Sequence, residues 1–103
     1  MKPDKTLVIE AIKQLFVETL GMTNMVVEHN SAYKTECYSL NGEFYRIDSF
    51  VDPSDSNSRL FCIEWAENEQ EALYNHFEDA WLYPDTMELQ EMLATIKSDI
   101  LNE

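Results

Sequence analysis

Glycine and proline are scarce in these 103 residues, at two and three, so no flexible or low-complexity linker divides the chain. Its length fits one domain, residues 1–103. Bases are scarcer still against their opposites, with seven Lys and Arg facing twenty Asp and Glu, a formal charge of −13. Such a field repels nucleic-acid phosphates and anionic membrane surfaces, which excludes direct binding to either and makes a basic protein the natural partner. Apolar runs are only a few residues long, far below the ~20 that a membrane span needs. No secretory leader is visible at the start either. Cysteine is limited to Cys37 and Cys62. One bridge between neighbouring strands is conceivable, but reduced, buried thiols in the cytoplasm fit better.

What is present suffices for a core, since 45% of residues are hydrophobic and 12% aromatic. A helix is expected over about 4–20, with Val8, Ile12, Leu15, Phe16 and Leu20 at helical spacing, Pro3 suiting its start and Gly21 its end. A short strand follows around Met25-Val26-Val27. Asn41-Gly42 then joins strands 33–40 and 43–51 in a hairpin, because both residues accept the positive φ angles of a type I′ turn. Asp52–Ser58 reads as a loop and Arg59–Trp65 as a central strand, apolar on both faces. Asn68 with Glu71, and Asp85 with Glu88, have capping-box spacing. They predict two closing helices, the first carrying Ala72, Leu73, His76, Phe77, Ala80 and Trp81 and ending at Pro84. The fold class is therefore α+β: an N-terminal helix, a meander of three to four antiparallel strands, and two C-terminal helices packed on one sheet face.

The negative charge is unevenly placed. Residues 43–79 hold ten acids against only Arg46 and Arg59, a net −8 of the total −13. Solubility alone is served by a net charge of about 2–8 in magnitude. Acids and aromatics interleave here, and charge steers a basic partner while Tyr and Trp supply contact energy. The candidate partner-binding residues are Glu64, Glu67, Glu71, Tyr74, Glu78, Asp79 and Tyr83, whereas Trp65 and Trp81 fit the core.

Catalytic and cofactor signatures are missing. Neighbours in the helix expected around His76-Phe77-Glu78-Asp79 point apart, and no second His or Cys stands at helical spacing, so no metal site is expected. The cysteines lack CxxC spacing. Asp52–Ser58 lacks the Gly and terminal Glu of a calcium-binding EF loop. Neither glycine builds a phosphate cradle. These readings give no enzyme, no cofactor and no catalytic residue.

Size, acidity, element order and the acidic-aromatic stretch Phe77-Glu78-Asp79-Ala80-Trp81-Leu82-Tyr83-Pro84 resemble the small acidic immunity proteins of bacterial toxin–immunity systems. The resemblance implies a cytoplasmic α+β domain that binds and blocks a cognate toxin, often a basic nuclease. Two other readings compete with it. One is a nucleic-acid-mimicking regulator that occupies many basic nucleic-acid-binding proteins. The other is a small-molecule or enzymatic pocket between sheet and helices around His76, Cys62 and Tyr74. A homodimer contact through a sheet edge or the Leu89–Ile100 stripe is a further expectation.

Overall fold

The first helix, α1 (Lys5–Gln14), begins at Asp4, whose Oδ1 accepts the Thr6 N–H at 2.7 Å and the Leu7 N–H at 3.4 Å. This carboxylate satisfies donors that no helical carbonyl can reach. Pro3, expected to open the helix, lies outside the described residues; the computed structural model describes residues 4–29, 33–74 and 76–102. The helix widens into a π turn over Leu15–Thr19 and stops where Gly21 takes φ +70°. The Met22 N–H then donates back to the Phe16 carbonyl at 2.9 Å. The predicted helix and its glycine stop are both present.

Five antiparallel strands follow in sequence order: β1 (Thr23–His29), β2 (Tyr33–Leu40), β3 (Glu43–Asp52), β4 (Asp55–Ala66) and β5 (Asp79–Pro84). Asn41 and Gly42 turn β2 into β3 with φ of +53° and +84°, as a type I′ turn requires. Beyond Tyr38↔Tyr45 no further β2–β3 pairing forms among the described residues, whereas β3 and β4 pair from Phe44↔Ala66 to Val51↔Arg59.

Three details correct the sequence reading. The expected loop Asp52–Ser58 is a tight turn at residues 53–54, and β4 starts at Asp55. Local hydrogen bonds hold this turn: Asp52 Oδ1 accepts from the Ser54 N–H, and Asp55 Oδ1 from the Asn57 N–H. The penultimate helix, expected to reach Pro84, is only α2 (Glu69–Leu73). Its Asn68 cap forms as predicted, with Oδ1 accepting the Glu71 N–H at 2.9 Å, but residues 79–84 make β5 instead. The alternation of Trp81 and Tyr83 matches a strand, and pairing with β4 from Leu60↔Pro84 to Trp65↔Asp79 outweighs a weak helical period. The sheet thus has five strands rather than three or four. Finally, α3 (Leu89–Leu101) is capped at Glu88 without a side-chain hydrogen bond. Asp85, expected as its cap, instead accepts the Arg59 N–H at 3.1 Å.

The two sheet faces differ in what covers them. On one lie Tyr38, Tyr45, Phe61, Ile63 and Tyr83, packed with Val8, Ile12 and Phe16 of the first helix and with Met92, Ile96 and Ile100 of α3. The α3 stripe is therefore part of the core rather than a free dimer contact. Three tyrosines fill this face and send their hydroxyls to carboxylates at its margin: Tyr38 to Glu36 at 3.1 Å, Tyr45 to Glu43 at 3.0 Å, and Tyr83 to Asp99 at 2.7 Å. Each ring stays dry while its polar end is satisfied. Trp65 packs at the edge of this core, its Nε1 buried with no hydrogen-bond partner among the described residues.

The opposite face holds a smaller cluster of Cys37, Phe44, Ala66 and Ala72, with Met25 and Phe77 against it. So α2 sits opposite α1 and α3, and the helices do not all share one face as expected. Cys37 and Cys62 are buried free thiols. They stand on β2 and β4 with β3 between them, not on neighbouring strands.

Candidate functional site

The connection from β4 to β5 carries most of the predicted surface, and three anchors shape it. Asn68 caps α2. The His76 N–H donates to the Glu71 carbonyl at 2.8 Å, folding the chain back as the helix ends. Phe77 then lies beneath the Arg46 guanidinium, 4.1 Å from its ring centroid, a cation–π contact that ties the connection to the sheet. Arg46 is itself held by Glu64 directly across the strand pair, with Nε to Oε1 at 3.1 Å and Nη2 to Oε2 at 2.6 Å. Such a bidentate fork fixes position as well as charge.

The seven predicted partner residues separate on this frame. Glu67, Glu71, Tyr74, Glu78 and Asp79 belong to the β4–β5 connection and its junction with β5. Glu67, Glu78 and Asp79 are exposed, and Tyr74, at the end of α2, is 77% exposed. Glu71 is more enclosed, its Oε2 2.6 Å from His76 Nδ1. Glu64 stands apart: its side chain is only 20% exposed and it is committed to Arg46. Tyr83 is buried in the helix-covered core and bonded to Asp99, so the structure places it inside the domain. Its position two residues beyond Trp81 on a strand explains this, since both then point to one face.

Most acids elsewhere have internal work. Glu36 pairs with Lys13 at 3.0 Å and Glu28 with Lys34 at 3.5 Å. The Lys13 hydrogen bond holds the Glu36 carboxyl below its ordinary range and raises the lysine in turn. Asp4, Asp52, Asp55 and Asp85 accept from main-chain N–H groups. By contrast, Glu67, Glu69, Glu78 and Asp79 make no ion pair among the described residues, and the sequence holds no Lys or Arg between Arg59 and Lys97. Beyond the contact of Glu71 with His76, the connection is a patch of carboxylates with no Lys or Arg of its own, and it carries an exposed tyrosine.

Sequence reasoning missed Arg46 as part of this region, and it weighed His76 and Phe77 only on a helix or in a pocket rather than as an outward donor and an inward anchor. Their signal was hidden by the helix expected through residue 83. In an extended chain Phe77 turns inward and its neighbours His76 and Glu78 turn outward together. Ligand atoms of Glu71, His76 and Glu78 consequently lie within 4.8 Å of one another. Residues 76–78 are not helical, so the side chains around His76 do not diverge as they would on the expected helix.

The three residues expected to line one pocket differ in exposure: Cys62 is buried in the sheet, whereas Tyr74 and His76 are exposed. Burial and the nearby Glu64 and Asp48 push the Cys62 thiol up to about 11, which suits a packing residue rather than a nucleophile. Clefts lie elsewhere, the widest of them, about 830 Å³, along the exposed side of α1 by Leu7 and Glu10. Another, of about 450 Å³, opens where β2 and β3 part and is lined by Lys13, Glu36, Arg46 and Asp48 among others. A third, of about 470 Å³, lies between the first helix and α3. Among the described residues no helix is long and apolar enough to cross a membrane. No protein-family model, curated protein or solved structure matches the chain.

Proposed function

We propose that this chain is a non-catalytic acidic binding protein, of the immunity or inhibitor kind, that neutralises a basic toxin or nuclease in the cytoplasm through the β4–β5 connection. The observation that carries this reading is the exposed set Glu67, Glu69, Glu78 and Asp79, without an ion pair among the described residues, on the same connection as the exposed Tyr74. Uncompensated surface charge raises the encounter rate with an opposite field, towards about 10⁸ M⁻¹s⁻¹ or more at low salt. An exposed tyrosine anchored beside it supplies desolvated contact area after docking. The acids that stabilise the fold are used within it, so the patch has no evident structural duty.

Affinity capture from the native cell, with the tagged chain eluted across a salt gradient, tests the reading. One basic protein retained in near-equal amount and released by rising salt supports it. Many nucleic-acid-binding proteins released together overturn it in favour of charge mimicry, and an empty column overturns both.

A further inference from the structure

We propose that Glu71, His76 and Glu78 form a zinc-binding site on the β4–β5 connection, with water completing the coordination. The three side chains come from a segment of eight residues that the fold bends back on itself. The Asn68 cap sets the N–H of Glu71, and the His76 N–H closes onto the Glu71 carbonyl at 2.8 Å. Phe77, seated under Arg46 at 4.1 Å, fixes the residue between the two later ligands, so His76 and Glu78 emerge on one side. The backbone and an inward aromatic therefore hold the site, rather than the mutual attraction of surface charges.

The donor set selects the ion. Zinc takes imidazole nitrogen at about 2.0–2.1 Å and carboxylate oxygen at about 2.0–2.2 Å, which places ligand atoms roughly 3–3.5 Å apart. Glu71 Oε2 and His76 Nδ1 are 2.6 Å apart, a hydrogen-bond distance, and all three donors lie within 4.8 Å, so rotamer changes of the two glutamates that open the first distance and shorten the others reach this spacing. Two carboxylates and a neutral imidazole balance the dipositive ion. Calcium and magnesium prefer oxygen donors alone and gain little from the imidazole. The His76 side chain is 66% exposed, which leaves the ion an open approach and room for water. Cys37 and Cys62, the stronger zinc donors by type, are buried and do not compete.

This inference is independent of the basic partner: it depends on three donors, whereas docking depends on the wider charge. Titration calorimetry of the full chain with zinc chloride, on the native sequence and on His76→Gln and Glu78→Gln, provides the test. One zinc per chain is expected, at least tenfold weaker in either variant, with amide shifts in two-dimensional NMR confined to residues 68–79. Matching thermal melts show that the variants remain folded. Equal zinc affinity in native chain and His76→Gln overturns the site. So does displacement of zinc by an equal concentration of magnesium, which would mark diffuse attraction to the acidic surface. His76→Gln leaves the acidic residues intact, so loss of zinc binding with retained capture of a basic protein separates the two proposals.

Discussion

The two faces of the sheet divide the molecule's work. On the face under α1 and α3, aromatic and aliphatic side chains pack into a dry layer, and tyrosine hydroxyls reach carboxylates at its margin. On the other face a small cluster supports one short helix, and an arginine–glutamate fork and a cation–π contact pin the connection that follows. The larger core lies on the helix-covered face. Uncompensated charge is concentrated on a connection that contributes little to the main core. Acidity is therefore not one property of this chain, because some acids hold the fold together and others face outward without a counter-charge.

The largest expected effect lies on the helix-covered face. Phe16 is fully buried, its ring 5.4 Å from Tyr38 and edge-on to it. Phe16→Ala should destabilise by about 3–5 kcal/mol, as large-to-small core changes do, measured by urea unfolding. A smaller loss would mean that this layer is loosely packed and the contrast between faces weaker than described.

Next comes the pin on the other face. Arg46→Ala leaves the mostly enclosed Glu64 without its partner and should cost about 1–3 kcal/mol. The double change Arg46→Met with Glu64→Leu should recover much of that loss, because an apolar pair avoids the desolvation of both charges. Amide exchange should also quicken in residues 74–79 of either Arg46 variant, since Phe77 loses its cover. Unchanged exchange there would detach the connection from the sheet.

Two tyrosines sharpen the comparison further. Tyr83→Phe removes a hydroxyl bound to a carboxylate and should cost about 1.5 kcal/mol. Tyr74→Ala, at an exposed position, should stay within about 0.5 kcal/mol of the native stability while weakening partner capture. If the stability effects were reversed, the placement of core and surface would be wrong.

The smallest effect is acid dependence at the Lys13–Glu36 pair. The lysine hydrogen bond lowers the Glu36 carboxyl beneath its ordinary value of 4.5. Its stabilisation is therefore present above that value and lost as pH falls through the lowered one. Lys13 is raised above 10.5, so its part is complete below that value and fades as pH climbs through the raised one. Both side chains are more than a third exposed, at 34% and 44%, so screening limits the pair to about 0.5 kcal/mol. Glu36→Gln should flatten that fraction of the stability profile on its acid side, as pH falls below 4.5.

Local chemistry explains which parts of this were legible in the sequence. Asn41-Gly42 specifies its turn within two residues, and the stripes of the first helix and α3 repeat over several turns. The stretch from Asn68 to Pro84 carried two overlapping patterns, a helical one through Phe77 and Trp81 and an alternating one through Trp81 and Tyr83. Pairing with β4 decided between them, and no local rule shows that β4 offers a free edge. The candidate site inherited the same ambiguity. Its exposed acids were readable from composition, whereas the burial of Tyr83, the fork from Arg46 to Glu64 and the convergence of His76 with Glu71 and Glu78 depend on the strand. Asp52–Ser58 misled for a related reason: its turn-forming residues are real, but they tighten a hairpin rather than fill a loop.

In the proposed function the β4–β5 connection works outward and not for the fold. The most direct test replaces Glu67, Glu71 and Glu78 by Gln and Asp79 by Asn together, then compares thermal stability and capture of the basic partner with the native chain. The account predicts a melting temperature equal to or above the native one, because like-charge repulsion is relieved, with capture slowed at least tenfold at low salt. Capture at the native rate by the folded variant would contradict it.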